Sequence, residues 1–489
     1  AALKVIEKDY PDYLKRVNRY IANDPSKRAR VTAAFSLFQN AFKTRGLIVT
    51  HDRGGGVARN INDLVSNFDS IGWCQLKPSE AGVVRLELLN SNSVIALKFE
   101  LDDQFGLLIE LLDSLGFSFI HWHHHMGLPG KLNELPELLD VPSYFTIHDY
   151  YTVCPQISLS TSEGKYCGEP NIQACEQCVA KRPVLGCASV AEWRNTLVAW
   201  MERQQSLIAP SKDCASRMCK YIASNKLVVV PHLDIETQVP ASNITVSDRP
   251  LRVAVLGGMS KIKGADVLDD VARLCIKEQS PVVFKLFGHA YRSLDKSIEV
   301  TGRYQEDQLV YMLEEWEPDL VWYPAIWPET YSYTLSTAMA LGLPIAATDI
   351  GAFVERLHYR ANTWLLCYDS APQQWLDLFV KIQSGVLPEN ASYPNMNEAV
   401  INSEQAQSFY QEMYTKNPTV YADIAKFNDL IQTVPAESFN LKNTDSSVRL
   451  RVVNFLYVAR GLPFLSLLMR CMPMSLQIWV KNKVLGYKS

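Results

Sequence analysis

The chain has 489 residues, of which 47% are hydrophobic and 20% charged, so its length allows two large domains or about three of ordinary size. The 48 Lys and Arg residues and the 52 Asp and Glu residues give a formal net charge of −4. That balance excludes a globally basic nucleic-acid-binding protein, and we expect no nucleic-acid partner. The sequence shows no signal-peptide pattern and no run of about 20 apolar residues, so we expect a cytoplasmic protein.

Short apolar runs alternate with helix-like segments along most of the chain. After a predicted polar helical segment at residues 1–45, the first strand is expected at residues 46–50. Further strands are predicted at residues 93–98, 117–121, 143–147, 206–209, 227–230, 251–256, 282–287, 320–323 and 344–347. Strands that alternate with helices are typical of parallel α/β sheets.

A polar stretch at residues 239–250 is the clearest candidate for a linker between domains. We therefore expect a Rossmann-like acceptor-side domain at residues 46–238 and a second Rossmann-like domain for the donor at residues 251–385, facing each other across a cleft. A helical crossover region is predicted at residues 386–448, and a basic, apolar tail at residues 449–489.

The tail differs in charge from the rest of the chain. Residues 449–489 contain seven Lys or Arg residues and no Asp or Glu, so the preceding part of the chain has a net charge of −11. Basic, apolar and aromatic residues together are typical of an interfacial membrane anchor. We expect the protein to lie peripherally on the inner face of the cytoplasmic membrane. Packing of the tail on the catalytic domains, or on a partner, remains the alternative.

Two candidate ligand sites follow strands of the first domain. Gly54, Gly55 and Gly56 come directly after the first strand, where glycines let backbone N–H groups approach an anion at a helix N-terminus. A tight strand-to-helix turn explains the same residues equally well. His148 and Asp149 follow another strand, whose carboxyl end is expected to face the ligand crevice. A structural role for His148 stays open.

Two further candidates lie in the second domain. Lys261 and Lys263 precede Gly264 in a strand-to-helix turn, where cations and glycine suit a diphosphate group. The alternative is a solvated basic turn. Glu329 begins a segment of hydroxyl side chains at residues 329–334, before a predicted helix. A carboxylate that caps the helix would explain Glu329 as well.

Taken together and in this order, the motifs resemble those of the family 4 retaining glycosyltransferases, which have the GT-B fold. The motifs are GGGVARN, IHDYYTVCP, APS at residues 209–211, VVPH ending at His232, GGMSKIKGADVL and PETYSYTLSTAMALGLPIAATDIGA. The phrase HDYYTVCP, followed by YCGEP and CEQC, is similar to the bacterial O-antigen and capsule branch of that family. The resemblance covers roughly residues 46–425.

This resemblance implies a hexosyl-type transferase of surface polysaccharide (lipopolysaccharide) biosynthesis. The family moves a sugar from a nucleotide-sugar to a glycan or a polyprenyl-diphosphate-linked acceptor, keeps the anomeric configuration and requires no metal or other cofactor for catalysis. It implies His148 and Glu329 as catalytic residues. The implied donor-binding residues are Gly55, Gly56, Lys261, Lys263, Ser332, Tyr333 and Thr337. On the acceptor side we expect His123, His124 and Asp149.

Two positions depart from the family pattern. The second glutamate of the family is Thr337 here, and the arginine five residues before the lysine is Gly258. The first departure affects recognition of the nucleotide ribose, and the second removes one phosphate-binding cation. The alternative is therefore a degenerate, non-catalytic binding or scaffold domain of a larger polysaccharide-assembly enzyme.

Cysteines and histidines provide the remaining candidates. Cys154, Cys167, Cys175 and Cys178 have a spacing that allows a closed structural zinc site, although buried free cysteines are the simpler interpretation. Residues 121–125 read His-Trp-His-His-His, which raises the possibility of a zinc-dependent hydrolase. Alternate residues of a strand point to opposite faces, and no HExxH pattern accompanies the run, so a catalytic metal is disfavoured.

Overall fold

The computed structural model describes residues 9–91, 94–161, 164–184, 186–222, 225–234, 239–242, 249–305, 307–386, 403–417 and 419–439. The predicted tail at residues 449–489 lies outside the described residues. The chain divides into two compact units. The first unit comprises Ala1–Asp52, Phe68–Pro142 and Tyr414–Asn443, and the second comprises Arg53–Asn67, Ser143–Met413 and Thr444–Ser489.

The first unit is built from five strands and the helices that flank them. Its strands are β1 (Arg45–Val49), β2 (Gly72–Glu80), β3 (Val83–Leu88), β4 (Ala96–Glu100) and β5 (Phe119–Trp122). Its helices are α1 (Tyr13–Asn23), α2 (Lys27–Ala41), α4 (Leu101–Leu115), α5 (Leu135–Leu138) and α15 (Ile424–Thr433), whereas α3 (Gly56–Asn67) belongs to the second unit.

The strands of the first unit pair in the order β4-β3-β2-β1-β5. β1 pairs in parallel with β2 and β5, and the pairing with β5 agrees with the parallel sheet that the sequence predicts. β2 was not predicted, and β2, β3 and β4 form an antiparallel meander. Only Ala81 and Gly82 connect β2 to β3, and Gly82 has a positive φ of 77°. A connection this short joins antiparallel strands, because a parallel pair needs a crossover.

Aromatic rings pack directly on the central strand of the first unit. A Cβ atom added at Gly46 in β1 would lie 2.6 Å from the rings of both Trp73 and Phe119. Tyr414 stacks on Phe119 with ring centroids 4.7 Å apart. Only glycine leaves room for this packing, which explains the glycine at the second position of β1.

The second unit contains two groups of parallel strands. They are β6 (Ser143–Thr146), β7 (Ser206–Ala209) and β8 (Leu227–Val229), then β9 (Leu251–Met259), β10 (Val282–Ala290), β11 (Ile298–Val300), β12 (Leu320–Tyr323), β13 (Ile345–Thr348) and β14 (Thr363–Leu366). The helices are α6 (Ile172–Lys181), α7 (Val190–Arg203), α8 (Lys212–Met218), α9 (Ala265–Lys277), α10 (Gln308–Trp316), α11 (Tyr333–Ala340), α12 (Ala352–Arg356), α13 (Pro372–Gln383) and α14 (Ser403–Thr415, in which the boundary between the units falls).

The six strands from β9 to β14 form a fully parallel sheet in the order β11-β10-β9-β12-β13-β14. Every residue of β12 and β13 is buried, as expected for a parallel sheet that is covered on both faces. Trp322 of β12 packs on Trp375 and Phe379 of α13, with ring centroids 5.1 Å away in both pairs. The core of this sheet therefore lies between the strands and their crossover helices.

The predicted α/β architecture with two parallel-sheet cores is confirmed. Every strand predicted from the sequence is present to within a few residues, while β2, β3, β11 and β14 were missed. The domain boundaries at residues 46–238 and 251–385 stay a prediction. Among the described residues, no helix is both long and apolar enough to cross a membrane.

Candidate functional site

The order of the six-stranded sheet marks where a ligand is expected. The chain proceeds outward from β9 to β11 on one side, then returns and proceeds outward from β12 to β14 on the other. β9 and β12 are therefore the neighbours at which the strand order reverses. Ligands of such sheets bind outside the carboxyl ends of the strands at this point. Lys261 and Lys263 follow β9, and Glu329 follows β12. Three residues predicted to bind the donor or to act in catalysis therefore flank this reversal point.

The turn that carries the two lysines is fixed by Gly264. This glycine has a φ of 87°, and a Cβ atom there would lie 2.0 Å from the carbonyl oxygen of Pro324, which follows β12. The Gly264 N–H donates to the carbonyl of Lys261 over 3.0 Å. The backbone of the lysine turn therefore rests against the segment that follows β12, and both lysines are exposed.

Glu329 is buried and tightly placed. Its Oε1 accepts a hydrogen bond from Trp327 Nε1 over 3.0 Å and lies 3.3 Å from Lys263 Nζ. The backbone carbonyl of Glu329 accepts from the Ala352 N–H over 2.8 Å. At Gly351 a Cβ atom would lie 2.5 Å from the Glu329 backbone, so only glycine fits there. A cation and a carboxylate thus meet at the reversal point of the sheet.

The predicted glycine loop contacts Tyr333. Gly55 has a φ of 88°, and a Cβ atom added there would meet no described atom within 4 Å, so this face of the loop is open. Gly56 begins α3 and approaches the Tyr333 ring. A Cβ atom added at Gly56 would lie 3.6 Å from Cδ2 of that ring. The Arg59 guanidinium lies 4.5 Å from the centroid of the same ring, a cation–π distance. Arg59 was not identified from the sequence.

A hydrogen bond from a side chain to the backbone joins the Glu329 segment to His148. The Thr330 hydroxyl donates to the carbonyl oxygen of His148 over 2.7 Å. The His148 side chain is half-buried, and its ring centroid lies 5.2 Å from that of His232. Asp149 accepts from the Tyr151 N–H over 2.9 Å and so stabilises the turn that follows β6. The structure therefore brings His148 close to the segment that begins at Glu329.

His232 and Asp234 are additional residues at this place. His232 is 3% exposed, and burial together with the charge of Arg356 lowers its pKa to about 3. The Tyr331 hydroxyl donates to Asp234 Oδ1 over 2.6 Å. The VVPH motif ends at His232, but no role for this residue could be predicted from the sequence. A single histidine after a strand has no characteristic spacing to other functional residues.

Arg356 holds the backbone of the segment that precedes α11. Its guanidinium donates to the carbonyl oxygens of Tyr331 over 3.0 Å and Ser332 over 2.9 Å, and to Ser336 Oγ over 2.7 Å. It also lies 4.0 Å from the centroid of the Tyr331 ring. Ser332 has a φ of 79°, which is strained for a residue other than glycine. Arg356 therefore compensates for a backbone conformation that Ser332 alone disfavours.

Glu355, beside Arg356, binds the start of α8. Both of its carboxylate oxygens accept from the Lys212 N–H over 2.9 Å. Burial is the main cause that raises the pKa of Glu355 to about 7, and the nearby Asp213 contributes in the same direction. The APS motif at residues 209–211 thus ends at a helix start that a buried carboxyl group contacts.

Thr337 and Gly258 are the two positions that depart from the family pattern, and the structure shows what surrounds each of them. Thr337 is buried in α11, and its hydroxyl donates to the carbonyl of Tyr333 over 3.4 Å in the same helix. At Gly258 a Cβ atom would lie 3.2 Å from the His289 ring on the neighbouring strand. A donor-binding role for Thr337 stays a prediction, and its hydroxyl is already engaged within the helix.

The predicted acceptor-side histidines lie in the first unit. His123 and His124 are both buried, and they pack on other histidine rings: His121 lies 4.3 Å from His123, and His51 lies 4.6 Å from His124. His124 Nδ1 accepts from the Met126 N–H over 2.9 Å. Contact of His123 or His124 with an acceptor stays a prediction.

The four cysteines of the predicted zinc site are partly buried free thiols. Burial raises the pKa of Cys154 to about 12 and also raises that of Cys167. Cys175 Sγ lies 3.2 Å from a guanidinium nitrogen of Arg194 on α7. In the described part of the chain, no group of three or more His, Cys, Asp or Glu side chains is arranged to hold a metal ion. A zinc ion bound by these residues and Cys178 stays a prediction, and it requires the thiols to lose their protons.

No family model and no curated protein matches this chain. Among solved structures, it is similar to HepE of Anabaena in complex with UDP, with 12% identity and a TM-score of 0.45 over 80% of this chain and 98% of that one. It is also similar to TarM, with 10% identity and a TM-score of 0.46 over 79% of this chain and 98% of that one. A third similar structure is sucrose-phosphate synthase from Thermosynechococcus elongatus, with 12% identity and a TM-score of 0.45 over 84% of this chain and 100% of that one. Similarities of this size establish neither a family nor a function for the chain.

Proposed function

We propose that this protein is a retaining glycosyltransferase of the GT-B type. It would move a sugar from a nucleotide-sugar donor to a hydroxyl group of a glycan or of a polyprenyl-diphosphate-linked acceptor in bacterial surface polysaccharide assembly. The observation that carries this proposal is the convergence of Lys263, Glu329 and the His148 backbone at the reversal point of the parallel sheet. The sequence motifs predict a donor-binding role for Lys263 and catalytic roles for Glu329 and His148.

The positions of the charges suit departure of a nucleoside diphosphate. Lys263 supplies a half-exposed cation at the turn after β9, and Lys261 is exposed in the same turn. Fixed positive charge stabilises the leaving diphosphate as the bond from the anomeric carbon breaks. Gly55 and Gly56 add an open glycine loop at the start of α3, where backbone N–H groups favour an anion.

Glu329 is placed to hold hydroxyl groups of the donor sugar. Its carboxylate is held by the hydrogen bond from Trp327 and lies beside Lys263, so a hydroxyl bound to it would be oriented relative to a diphosphate at that lysine. The acceptor oxygen then forms a bond to the anomeric carbon on the face from which the diphosphate leaves. Bond formation on that same face retains the configuration. The acceptor proton passes to a diphosphate oxygen, so no protein base is required.

The chain's own cations take the part that a divalent metal plays in other transferases. We therefore expect transfer to proceed without an added metal ion. We also expect the acceptor to bind beside His148 and Asp149. The basic, apolar tail at residues 449–489 would keep the enzyme at the cytoplasmic membrane, near a lipid-linked acceptor.

Binding of nucleoside diphosphates tests the proposal directly. We expect UDP, GDP, ADP or another nucleoside diphosphate to raise the melting temperature of the full chain, because a ligand that binds only the folded state stabilises it. The corresponding nucleosides should have a smaller effect because they carry no phosphate for Lys263. If no nucleoside diphosphate changes the melting temperature, the chain is a non-catalytic scaffold domain rather than a transferase.

A further inference from the structure

His232 occupies a central position that the proposed chemistry does not use. Its ring contacts the ring of His148 and two rings of the segment that follows Glu329. The ring centroids are 5.2 Å apart for His148, 4.6 Å for Tyr331 and 5.4 Å for Tyr333, and the last pair is nearly parallel at 13°. His232 therefore packs on both partners at once.

The imidazole of His232 acts at this place as an uncharged ring. It is 3% exposed, and burial lowers its pKa to about 3, with a smaller effect from Arg356. The ring is neutral at the pH values at which enzymes of this kind operate. Its Nδ1 atom is buried and finds no hydrogen-bond partner among the residues that the structure describes. The contacts of the ring are thus mainly packing contacts.

We propose that His232 is a positioning residue that holds His148 and the segment at residues 329–333 in their reactive placement. This inference rests on the proposed function for its kinetic consequences, while the placement itself is a structural property. His232 is not in the position of a proton donor or acceptor for the substrate, because both its burial and its lowered pKa oppose that role.

The surrounding contacts show why such a ring is needed. The segment at residues 329–333 passes through the strained Ser332. Two hydrogen bonds tie it on this side of the site, from Thr330 to the His148 carbonyl and from Tyr331 to Asp234. Neither of them fixes the direction of the His148 side chain. The ring of His232 contacts that side chain directly, so its removal would take away a packing surface that restricts the rotamer of His148.

Substitution of His232 separates packing from hydrogen bonding. His232→Phe retains an aromatic ring of similar size and removes both nitrogens, whereas His232→Ala removes the ring. We expect His232→Ala to lower kcat about 10- to 100-fold with little change in donor KM, since misplacement of reacting groups by about 1 Å has effects of that size. His232→Phe should stay within about threefold of the wild-type kcat, because the packing is kept.

The matched control is His358→Ala, since His358 lies in the same unit and packs on Tyr359 with ring centroids 3.7 Å apart. We expect this variant to retain wild-type kcat. A His232→Phe variant as impaired as His232→Ala would overturn the proposal, because a nitrogen would then be required. Wild-type kcat in His232→Ala would overturn it as well.

Amide hydrogen exchange tests the placement independently of catalysis. We expect faster exchange at residues 330–334 in His232→Ala than in the wild type, in His232→Phe or in His358→Ala. Unchanged exchange in His232→Ala would overturn the positioning role even if the protein transfers no sugar. The two proposals can fail separately. If the wild-type protein neither binds a nucleoside diphosphate nor transfers a sugar, the proposed function fails. The positioning role of His232 still holds in that case if exchange at residues 330–334 is faster in His232→Ala than in the other three proteins.

Discussion

Lys263 Nζ lies 3.3 Å from Glu329 Oε1, so that a cation after β9 and a carboxylate after β12 are paired at the reversal point of the sheet. The carboxylate is nearly buried, while the lysine is about half exposed. A diphosphate that binds here competes with Glu329 for the same ammonium group.

Removal of the lysine tests its role in diphosphate binding. We expect Lys263→Ala to weaken binding of a nucleoside diphosphate about 10- to 100-fold, as hydrogen bonds to charged groups contribute about 1.5–3 kcal/mol. Titration calorimetry with the full chain measures this change. Lys277→Ala, at the exposed end of α9, is the matched control and should bind like the wild type. Equal affinity in the Lys263→Ala and Lys277→Ala variants would contradict the assignment.

Neutralisation of the carboxylate should affect binding and transfer in opposite directions. We expect Glu329→Gln to bind a nucleoside diphosphate as tightly as the wild type or up to about 10-fold more tightly, because a competing negative charge is removed. Transfer should fall at least about 100-fold, because the contact with the sugar hydroxyls is weakened. Glu317→Gln, on an exposed residue, is the control. Weaker diphosphate binding together with normal transfer would contradict the role of Glu329.

Buried histidines should make the protein less stable in acid. The pKa values of His121 and His125 are lowered by burial to about 3, whereas an unfolded histidine has a pKa of about 6.5. Because the folded values are the lower ones, the stability is fully present above pH 6.5 and is lost as the pH falls towards 3. The slope is at most about 1.4 kcal/mol per pH unit for each histidine.

Urea unfolding at pH 8, 6 and 5 measures this dependence. His125→Phe is the informative variant, since the ring stacks on Trp122 at 4.9 Å and phenylalanine keeps the stacking without the titrating group. We expect its unfolding free energy to fall less steeply below pH 6.5 than that of the wild type. Identical pH dependence in both proteins would show that His125 is not held neutral by burial.

Two glycines with positive φ should differ sharply in their tolerance of alanine. Gly302 has a φ of 84° and space for a Cβ atom among the described residues, so Gly302→Ala should cost only the conformational strain, about 1–2 kcal/mol. Gly264 has a φ of 87°, but its Cβ atom would lie 2.0 Å from the Pro324 carbonyl oxygen. We expect Gly264→Ala to cost several kcal/mol more by urea unfolding. Similar unfolding free energies for both variants would contradict the close contact at Gly264.

Metal analysis tests the structural zinc site that the cysteine spacing allows. If Cys154, Cys167, Cys175 and Cys178 form a structural site, protein purified without chelator should contain about one zinc ion per chain, and its removal should lower the melting temperature. Elemental analysis before and after dialysis against a chelator measures both. Cys175→Ser together with Cys178→Ser should abolish zinc binding. If metal-free protein has the same melting temperature as untreated protein, the zinc hypothesis is contradicted and the cysteines are free thiols.

The residues at strand ends could be predicted from the sequence because a parallel sheet brings them together. Lys263 and Glu329 are 66 positions apart, yet each follows an apolar run that is plainly a strand, and β9 and β12 turn out to be neighbours. His148 could be predicted for the same reason, because it follows the apolar run of β6. What could not be read from the sequence was the order of the strands in the sheet, which decides whether these residues meet.

Residues that act through side-chain packing could not be found in this way. Arg59, His232 and Arg356 belong to different elements, and their contacts with Tyr331 and Tyr333 depend on side-chain directions that no spacing rule gives. The antiparallel β2–β4 meander was missed because its turn at residues 81–82 lacks the usual hairpin residue pairs. Burial of Thr337 within α11 likewise depends on packing.

Product analysis tests the central claim most directly. The full chain is incubated with a panel of nucleotide-sugars and the lipid fraction of its source cell, and the products are identified by mass spectrometry and by the anomeric configuration of the new linkage. We predict a product from one donor, with retained configuration, that disappears in Lys263→Ala and in Glu329→Ala although both variants remain folded. No product from any donor, or wild-type turnover in either variant, would contradict the account.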